Sequence, residues 1–554
     1  MERSSPSRAE VAALVVILLV AAFFRIHRLD HAPPGLTHDE ADHAWDASRV
    51  LAGIRPIYFT VGYGREPLYD YATALTMLAV GPIAYASRLT ATCFGLLLIP
   101  LTWAWARRVF GVEVGLLAAA FLAVGLWPVM VSRQALRSAT LPVLLMTAVY
   151  CWWCGAGLDG GRVRRRWAVA AGVLLGGTFY TYLAARLTWL VVPALLVYLA
   201  LRRRDLFARA WRPTLAVLLI AAGVGAPLFG WLLANPGAES RVGDLAGPLD
   251  AAAAGDVTPL LRNVGAALAM FTLRGDGLWI YNLPGRPLLE PLQGLLFLGG
   301  VAMALAGALR GQPVGALLLA WVAAGMVPNA VTGADGAVTR AVGLMPAAFV
   351  LLAWALVALL RRARASFSLP RMAVRRGAPA IAAALVGVTG VATYHDYFAL
   401  WAAADEVRVA YHHTLVETVR YLDASGDATP VMWSSITPEA PHDPAVVRMT
   451  LRRDDLALRW FDARRALLFP DEARVRAVLP EVAALDAALW RYFTGAGRVE
   501  RLEMRADDFN RVVDIYAWEP RAALEATLPG LRTDASPVAD ADAPLELPAL
   551  ARVG

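Results

Sequence analysis

Two short stretches of this chain hold side chains able to do chemistry: Thr37-His38-Asp39-Glu40 and Arg65-Glu66-Pro67-Leu68-Tyr69. A placed carboxylate can take a proton from a hydroxyl, and an arginine can hold an anion through its planar fork. Asp39, Asp42 and Asp46 are spaced i, i+3, i+7, and His43 follows Asp39 by four, so a helix starting near His38 gathers all four on one face. Thr37 and Glu40 fit the capping box that starts such a helix. Ala44, Ala47, Ser48 and Leu51 make the opposite, apolar face. The pattern predicts an amphipathic helix lying on a membrane surface with its acids outward, either reactive or simply a solvated face. No cofactor is demanded. A divalent metal on Asp39 and His43 is an option, with two ligands where a closed site takes four.

What must position these residues is mostly hydrocarbon. The chain has 554 residues, is 58% hydrophobic and 18% charged, and has a mean hydropathy of +0.51, values that exclude a soluble globular protein. All 52 basic residues are arginine, so chemistry that needs a lysine is excluded. The net charge of +7 resides largely in short loops between apolar runs, a topology signal that argues against nucleic acid as a partner. Cys93, Cys151 and Cys154 all fall in apolar runs; Cys151 and Cys154 read as buried thiols, and no disulfide framework is implied.

The run from Val11 to Ile26 lacks a small-residue cleavage site and reads as a retained signal anchor. Ten more spans follow at about 89–106, 114–131, 139–157, 167–185, 187–201, 213–234, 291–309, 313–331, 341–360 and 377–394. The piece from Pro67 to Ala86 tempts a further span but carries Asp70 and Pro82. If it stays outside, twenty arginines of the N-terminus and short loops fall on the inner side, against Arg133, Arg137, Arg186 and Arg340 outside. If it crosses, every later loop swaps sides and the positive-inside rule fails. It therefore reads as a second juxtamembrane helix, and the range in helix number is 10 to 13. The outer side then receives the 27–88 loop, the Ser132 to Ser138 turn, Tyr180 to Arg186, the 235–290 loop and the tail. The spans carry few ionisable groups, which weighs against an ion-coupled transporter.

Taken together, these features resemble the GT-C superfamily of membrane glycosyltransferases, within it the protein O-mannosyltransferases and lipid A aminoarabinose transferases. The likeness lies in the retained first span, Asp39-Glu40 in the first external loop, Arg65 to Tyr69, a second span starting near Ala86 to Leu89, Tyr180-Thr181-Tyr182-Leu183-Ala184-Ala185-Arg186 and, loosely, Asn282 to Pro287. It covers roughly residues 10 to 394. Some relatives carry an acid in the second external loop, where this chain has Arg133 and Arg137 instead. The resemblance implies inverting transfer of a sugar from a polyprenyl phosphate donor to a protein, lipid or glycan at the outer face of the cytoplasmic membrane. Asp39 is then the candidate base, ahead of Glu40, whose capping role accounts for it. Arg186, Arg137 and Arg65, in that order, are candidates for the donor phosphate, each equally readable as an anchor to lipid head groups. Glu66, Tyr69, Tyr180, Tyr182 and His43 are candidate substrate contacts; Tyr180 and Tyr182 fit an interfacial aromatic belt equally well. A flippase or transporter for lipid-linked sugars, or a non-catalytic scaffold, are the alternatives.

The expected organisation is a polytopic helical membrane domain of about eleven spans over residues 1–394 and an extracytoplasmic α/β domain over 395–527. A disordered tail is expected over 528–554. In the second domain, Val431 to Trp433 and Val513 to Tyr516 read as strands, and Asp405 to Leu422 and Val482 to Tyr492 as helices. The 235–290 loop is either a lid over a lipid groove or a spacer.

Overall fold

The computed structural model describes residues 5–239, 247–333, 335–366, 371–439, 442–505, 510–534 and 550–551. The chain forms two compact units, Met1–Pro33 with Asp46–Ala403, and Pro34–Trp45 with Ala404–Gly554.

The first unit is helical, and the protein is a multi-pass membrane protein. Among the described residues, eight helices are long and apolar enough to cross a bilayer: Arg8–Ile26, Ala84–Phe110, Arg137–Gly155, Ala185–Arg202, Arg204–Ala234, Pro291–Leu309, Pro313–Thr332 and Val342–Ala365. A ninth is a broken pair, Val112–Val124 and Leu126–Arg133, bent by 56° at Gly125. The expected span 167–185 has only the 13-residue helix Arg165–Gly177 before the chain tightens into a 3₁₀ turn at Thr178–Tyr180. The last expected span lies in the helix Arg371–Tyr394. Small residues let these helices close on one another: a Cβ on Gly300 would stand 2.4 Å from the Leu351 carbonyl oxygen.

Two buried arginines join the first helix to the broken pair. The bend at Gly125 strips the Leu122 and Ala123 carbonyls of helical partners, and Arg25 donates to both, at 2.9 and 2.8 Å. In return Arg133 donates to the Phe24 and His27 carbonyls where the first helix ends, each at 2.9 Å, and to Ala32 at 2.7 Å. Arg133 is fully buried and stacks on Tyr397 and Phe398, so it is no lipid anchor.

The helix expected after the first span forms over His38–Leu51, and its capping box is complete: Glu40 N–H donates to Thr37 Oγ1 at 3.1 Å, and Thr37 N–H to Glu40 Oε2 at 3.2 Å. Its expected outward acidic face is corrected. Asp42, His43 and Asp46 are 7%, 2% and 0% exposed, and Ala44 and Ala47 are fully buried, so both faces are covered and only Asp39 of the acids is open. Surface alternation in the sequence cannot distinguish water from protein as the partner of a polar face. The piece Pro67 to Ala86 holds a helix at Leu68–Val80, 13 residues long, which stops at Gly81 with φ +94°.

In the second unit a five-stranded sheet has the order β2-β1-β4-β6-β5, with β1 Val431–Ser434, β2 Leu458–Phe461, β4 Val475–Pro480, β5 Gly497–Glu503 and β6 Val512–Trp518. The short strands β3 Leu467–Leu468 and β7 Leu550–Ala551 pair separately. Strand β1 runs parallel to both neighbours, while β4, β6 and β5 are antiparallel. The central β1 and β4 are wholly buried, whereas edge strand β5 is exposed and carries Arg498, Glu500, Arg501 and Glu503, a charged edge that discourages further strand pairing. Met432, Phe461, Phe469, Val475, Phe493 and Trp518 form its core. Both expected strands are present. The expected helix 405–422 is broken at Tyr411 and His412, and 482–492 holds two 3₁₀ turns instead of a helix. Residues 520–534 form a helix, so the expected disorder from 528 does not start there; 535–549 and 552–554 lie outside the described residues.

Candidate active site

In the first unit a tight hairpin presents the Arg65 to Tyr69 motif. Phe59 and Arg65 exchange backbone hydrogen bonds of 3.0 and 2.8 Å, and Gly62 and Gly64 turn the chain at positive φ. A side chain at Gly64 would also strike the Tyr58 hydroxyl at 2.7 Å. The hairpin sends Arg65 inward, where its side chain donates to the Val61 carbonyl at 3.2 Å and lies 4.0 Å from Asp46. Glu66, 1% exposed, faces Arg137 Nε at 2.9 Å and Arg186 at 4.0 Å. The Arg137 contact is one of charge, since the Nε–H is not aligned on the carboxylate.

Arg186 follows the 3₁₀ turn that ends the helix Arg165–Gly177 and opens the short helix Ala185–Thr188. It donates to Glu239 through both terminal nitrogens, one bond being 2.7 Å, and sits 5.7 Å over the Phe229 ring. Arg137 lies 5.6 Å over the Tyr182 ring. Tyr58 extends the cluster by donating to Glu239 at 3.4 Å; burial, with Glu66 and Glu239 nearby, pushes its hydroxyl pKa up.

An apolar cavity of about 620 Å³ meets this cluster at Arg186. Leu175, Phe179, Trp189, Leu218, Leu219 and Phe229 line it, with Arg186 as the charged residue in its wall. A larger apolar cavity, about 1210 Å³, opens along Ile17, Leu117, Val357 and Val386 and has none of the candidate residues in its lining. Size alone would select the second; the juxtaposition of hydrocarbon and cation selects the first.

The remaining candidates divide. Tyr69 is fully buried and donates to the Ser87 carbonyl at 2.6 Å, so in this structure it ties two helices together. Tyr180, half-buried, donates to the Val224 carbonyl at 2.9 Å. Asp39, Glu40 and His43 belong to the second unit: Asp39 is exposed, Glu40 is engaged in the capping box and His43 is 2% exposed. Asn282 donates to the Arg286 carbonyl at 2.7 Å, and Arg286 pairs with Asp396, so the Asn282 to Pro287 stretch is scaffolding.

Sequence reading missed two members. Asp70, fully buried beside Arg65 and Arg137, has its carboxyl pushed up to about 8 by burial, which outweighs both arginines. An acid inside an apolar run was its visible signal. Glu239 lies in the Ala- and Gly-rich 235–290 loop and had none.

Residues 64–231 match the family model described as dolichyl-phosphate-mannose-protein mannosyltransferase, a segment that contains Glu66, Arg137, Arg186 and the wall of the smaller cavity. Over that segment this chain resembles a glycosyltransferase family. Its fold is similar to that of ArnT from Cupriavidus metallidurans bound to undecaprenyl phosphate, with 17% identity and a TM-score of 0.51 over 92% of this chain and 97% of that one. The same enzyme in its apo state gives 16% identity and a TM-score of 0.51, over 92% and 97%. The oligosaccharyltransferase of Archaeoglobus fulgidus tethered to an acceptor peptide matches with 12% identity and a TM-score of 0.49, over 80% of this chain and 63% of that one. No curated protein sequence matches the chain.

Proposed function

We propose that this GT-C enzyme transfers a sugar from a polyprenyl-phosphate donor to an acceptor hydroxyl at the outer face of the cytoplasmic membrane, with inversion at the anomeric carbon. The observation that carries this reading is the apolar cavity whose wall includes Arg186. A prenyl chain is hydrocarbon, and the donor's phosphodiester carries one negative charge that becomes two on the departing polyprenyl phosphate, so a donor of this kind needs an oily channel beside a fork of N–H groups. The ArnT structure bound to undecaprenyl phosphate agrees with that class of ligand.

In the proposed reaction Asp39, the base expected from its sequence motif, takes the proton from the acceptor hydroxyl as the acceptor oxygen bonds to the anomeric carbon. The bond from that carbon to the phosphate oxygen breaks, and the charge left on the polyprenyl phosphate is held by Arg186, with Arg137 beside it. Glu66 orients both arginines, and Arg65, turned to Asp46, supports the hairpin. Against a flippase, Arg25 and Arg133 are spent on backbone carbonyls instead of lining a polar path.

The test is transfer of labelled sugar from a synthetic polyprenyl phosphate donor by the purified protein in lipid nanodiscs. Release of polyprenyl phosphate together with a glycosylated acceptor supports the reading. Movement of intact donor between leaflets without cleavage overturns it.

A further inference from the structure

Within the second unit, three segments distant in the chain bring His38, His412 and Asp443 together, with one ligand atom of each lying within 4.8 Å of the others. His38 opens the helix His38–Leu51, His412 separates the helices Asp405–Ala410 and His413–Ser425, and Asp443 opens the helix Asp443–Thr450. His38 Nε2 is 3.0 Å from Asp443 Oδ1, and the His38 and His412 rings stack at 4.0 Å. The ring of His442 is 5.2 Å from that of His38.

The surroundings hold these groups as a metal's ligands are held. His412 Nδ1 faces the Leu36 carbonyl at 3.1 Å; a proton there leaves the lone pair on Nε2. Asp443 accepts from Ser435 through Oδ2 at 2.5 Å, which leaves Oδ1 turned to the cluster. His412 has φ +46° and ψ +44°, a conformation costly for a residue with a Cβ. Ligand atoms around a tetrahedral zinc, with bonds of about 2.0 to 2.2 Å, stand roughly 3.3 Å apart, so the His38 to Asp443 separation already fits. Two imidazoles and one carboxylate suit zinc and its neighbours over magnesium or calcium, which take oxygen ligands.

We propose that His38, His412 and Asp443 form a site for a zinc-class divalent ion, with the His442 ring beside that of His38 as the candidate for a fourth ligand. The ion fastens the helix start that carries Asp39 and Glu40 to the segments around residues 412 and 443. The site is distinct from the Asp39 and His43 pair expected from spacing, and it does not rest on the glycosyl-transfer reading.

The test uses the full-length protein in detergent, stripped with chelator and titrated with Co²⁺ and Zn²⁺. One ion per chain is expected, with the visible absorption of four-coordinate cobalt. His38→Ala, His412→Ala and Asp443→Asn should each weaken binding at least tenfold, while His413→Ala should not. His38→Cys should restore binding and add a thiolate-to-cobalt charge-transfer band, a signature that a purely structural histidine would not produce. Absence of stoichiometric binding to the wild type overturns the proposal. So does retention of the ion in all three variants, or a His38→Cys protein that binds cobalt without the new band. If the alanine variants fail to fold, the wild-type titration and the His38→Cys spectrum still decide.

Discussion

Arg186, which lines an apolar cavity, forms a two-point ion pair with Glu239, so the cation best placed for a phosphate is already satisfied by a carboxylate. A donor phosphate has to displace Glu239. The pair is part exposed, and pairs of that kind contribute about 1 kcal/mol or less. Glu239→Gln should therefore bind polyprenyl phosphate up to about fivefold more tightly, measured with a fluorescent short-chain analogue. Arg186→Lys keeps the charge but loses the fork and should raise the KM for donor more than for acceptor. Unchanged donor dependence would reduce Arg186 to a contact with lipid head groups.

Asp39→Asn retains size and removes the ability to take a proton. Transfer should fall by roughly 10²- to 10⁴-fold at equal protein level. Glu40→Gln is the matched comparison. Its amide oxygen can still accept from Thr37 N–H, so the capping box survives and activity should fall less. A larger loss in Glu40→Gln would move the base to its neighbour.

The carboxyl of Asp70 is raised from its ordinary value to about 8, chiefly by burial. The folded chain therefore holds a proton that the unfolded chain releases near pH 4. With the folded value above the unfolded one, this group's stabilising contribution is full below about pH 4 and is lost as pH rises toward 8. Asp70→Asn, neutral at every pH, should flatten the decline in melting temperature between pH 5 and 8 and exceed the wild type at pH 8. Parallel profiles for the two proteins would show that Asp70 is ionised in the fold.

Orientation is tested by labelling with a membrane-impermeant thiol reagent in a Cys93→Ser background. Ser425→Cys should react from outside and Arg162→Cys should not, since both positions are exposed and the arginine asymmetry places them on opposite sides. The reverse pattern would invert the topology.

The membrane fold was legible because hydropathy has few competing explanations. Nine of the eleven expected spans coincide with helices long and apolar enough to cross or with the broken pair, and residue type and position single out Arg65, Glu66, Arg137 and Arg186. What escaped depended on distant partners. Nothing near Glu239 marks it as the mate of Arg186, and nothing near Asp42 or Asp46 says that protein will cover them. Arg133 read only as an outer-loop arginine, because a lone arginine in a short loop looks the same whether it meets head groups or the open end of a helix.

The exchange between Arg25 and Arg133 bears on how the protein is made. The first helix emerges with the carbonyls of Phe24 and His27 lacking the partner they have in the fold, and that partner is about a hundred residues from being synthesised. The broken pair, when it arrives, is incomplete in turn until Arg25 reaches the Leu122 and Ala123 carbonyls. Each insertion event leaves a debt of backbone polarity that, in the finished fold, the other settles. The nascent chain must therefore keep its first segment close to the insertion site, in a place where water or the translocation machinery can satisfy those groups, until residue 133 has entered.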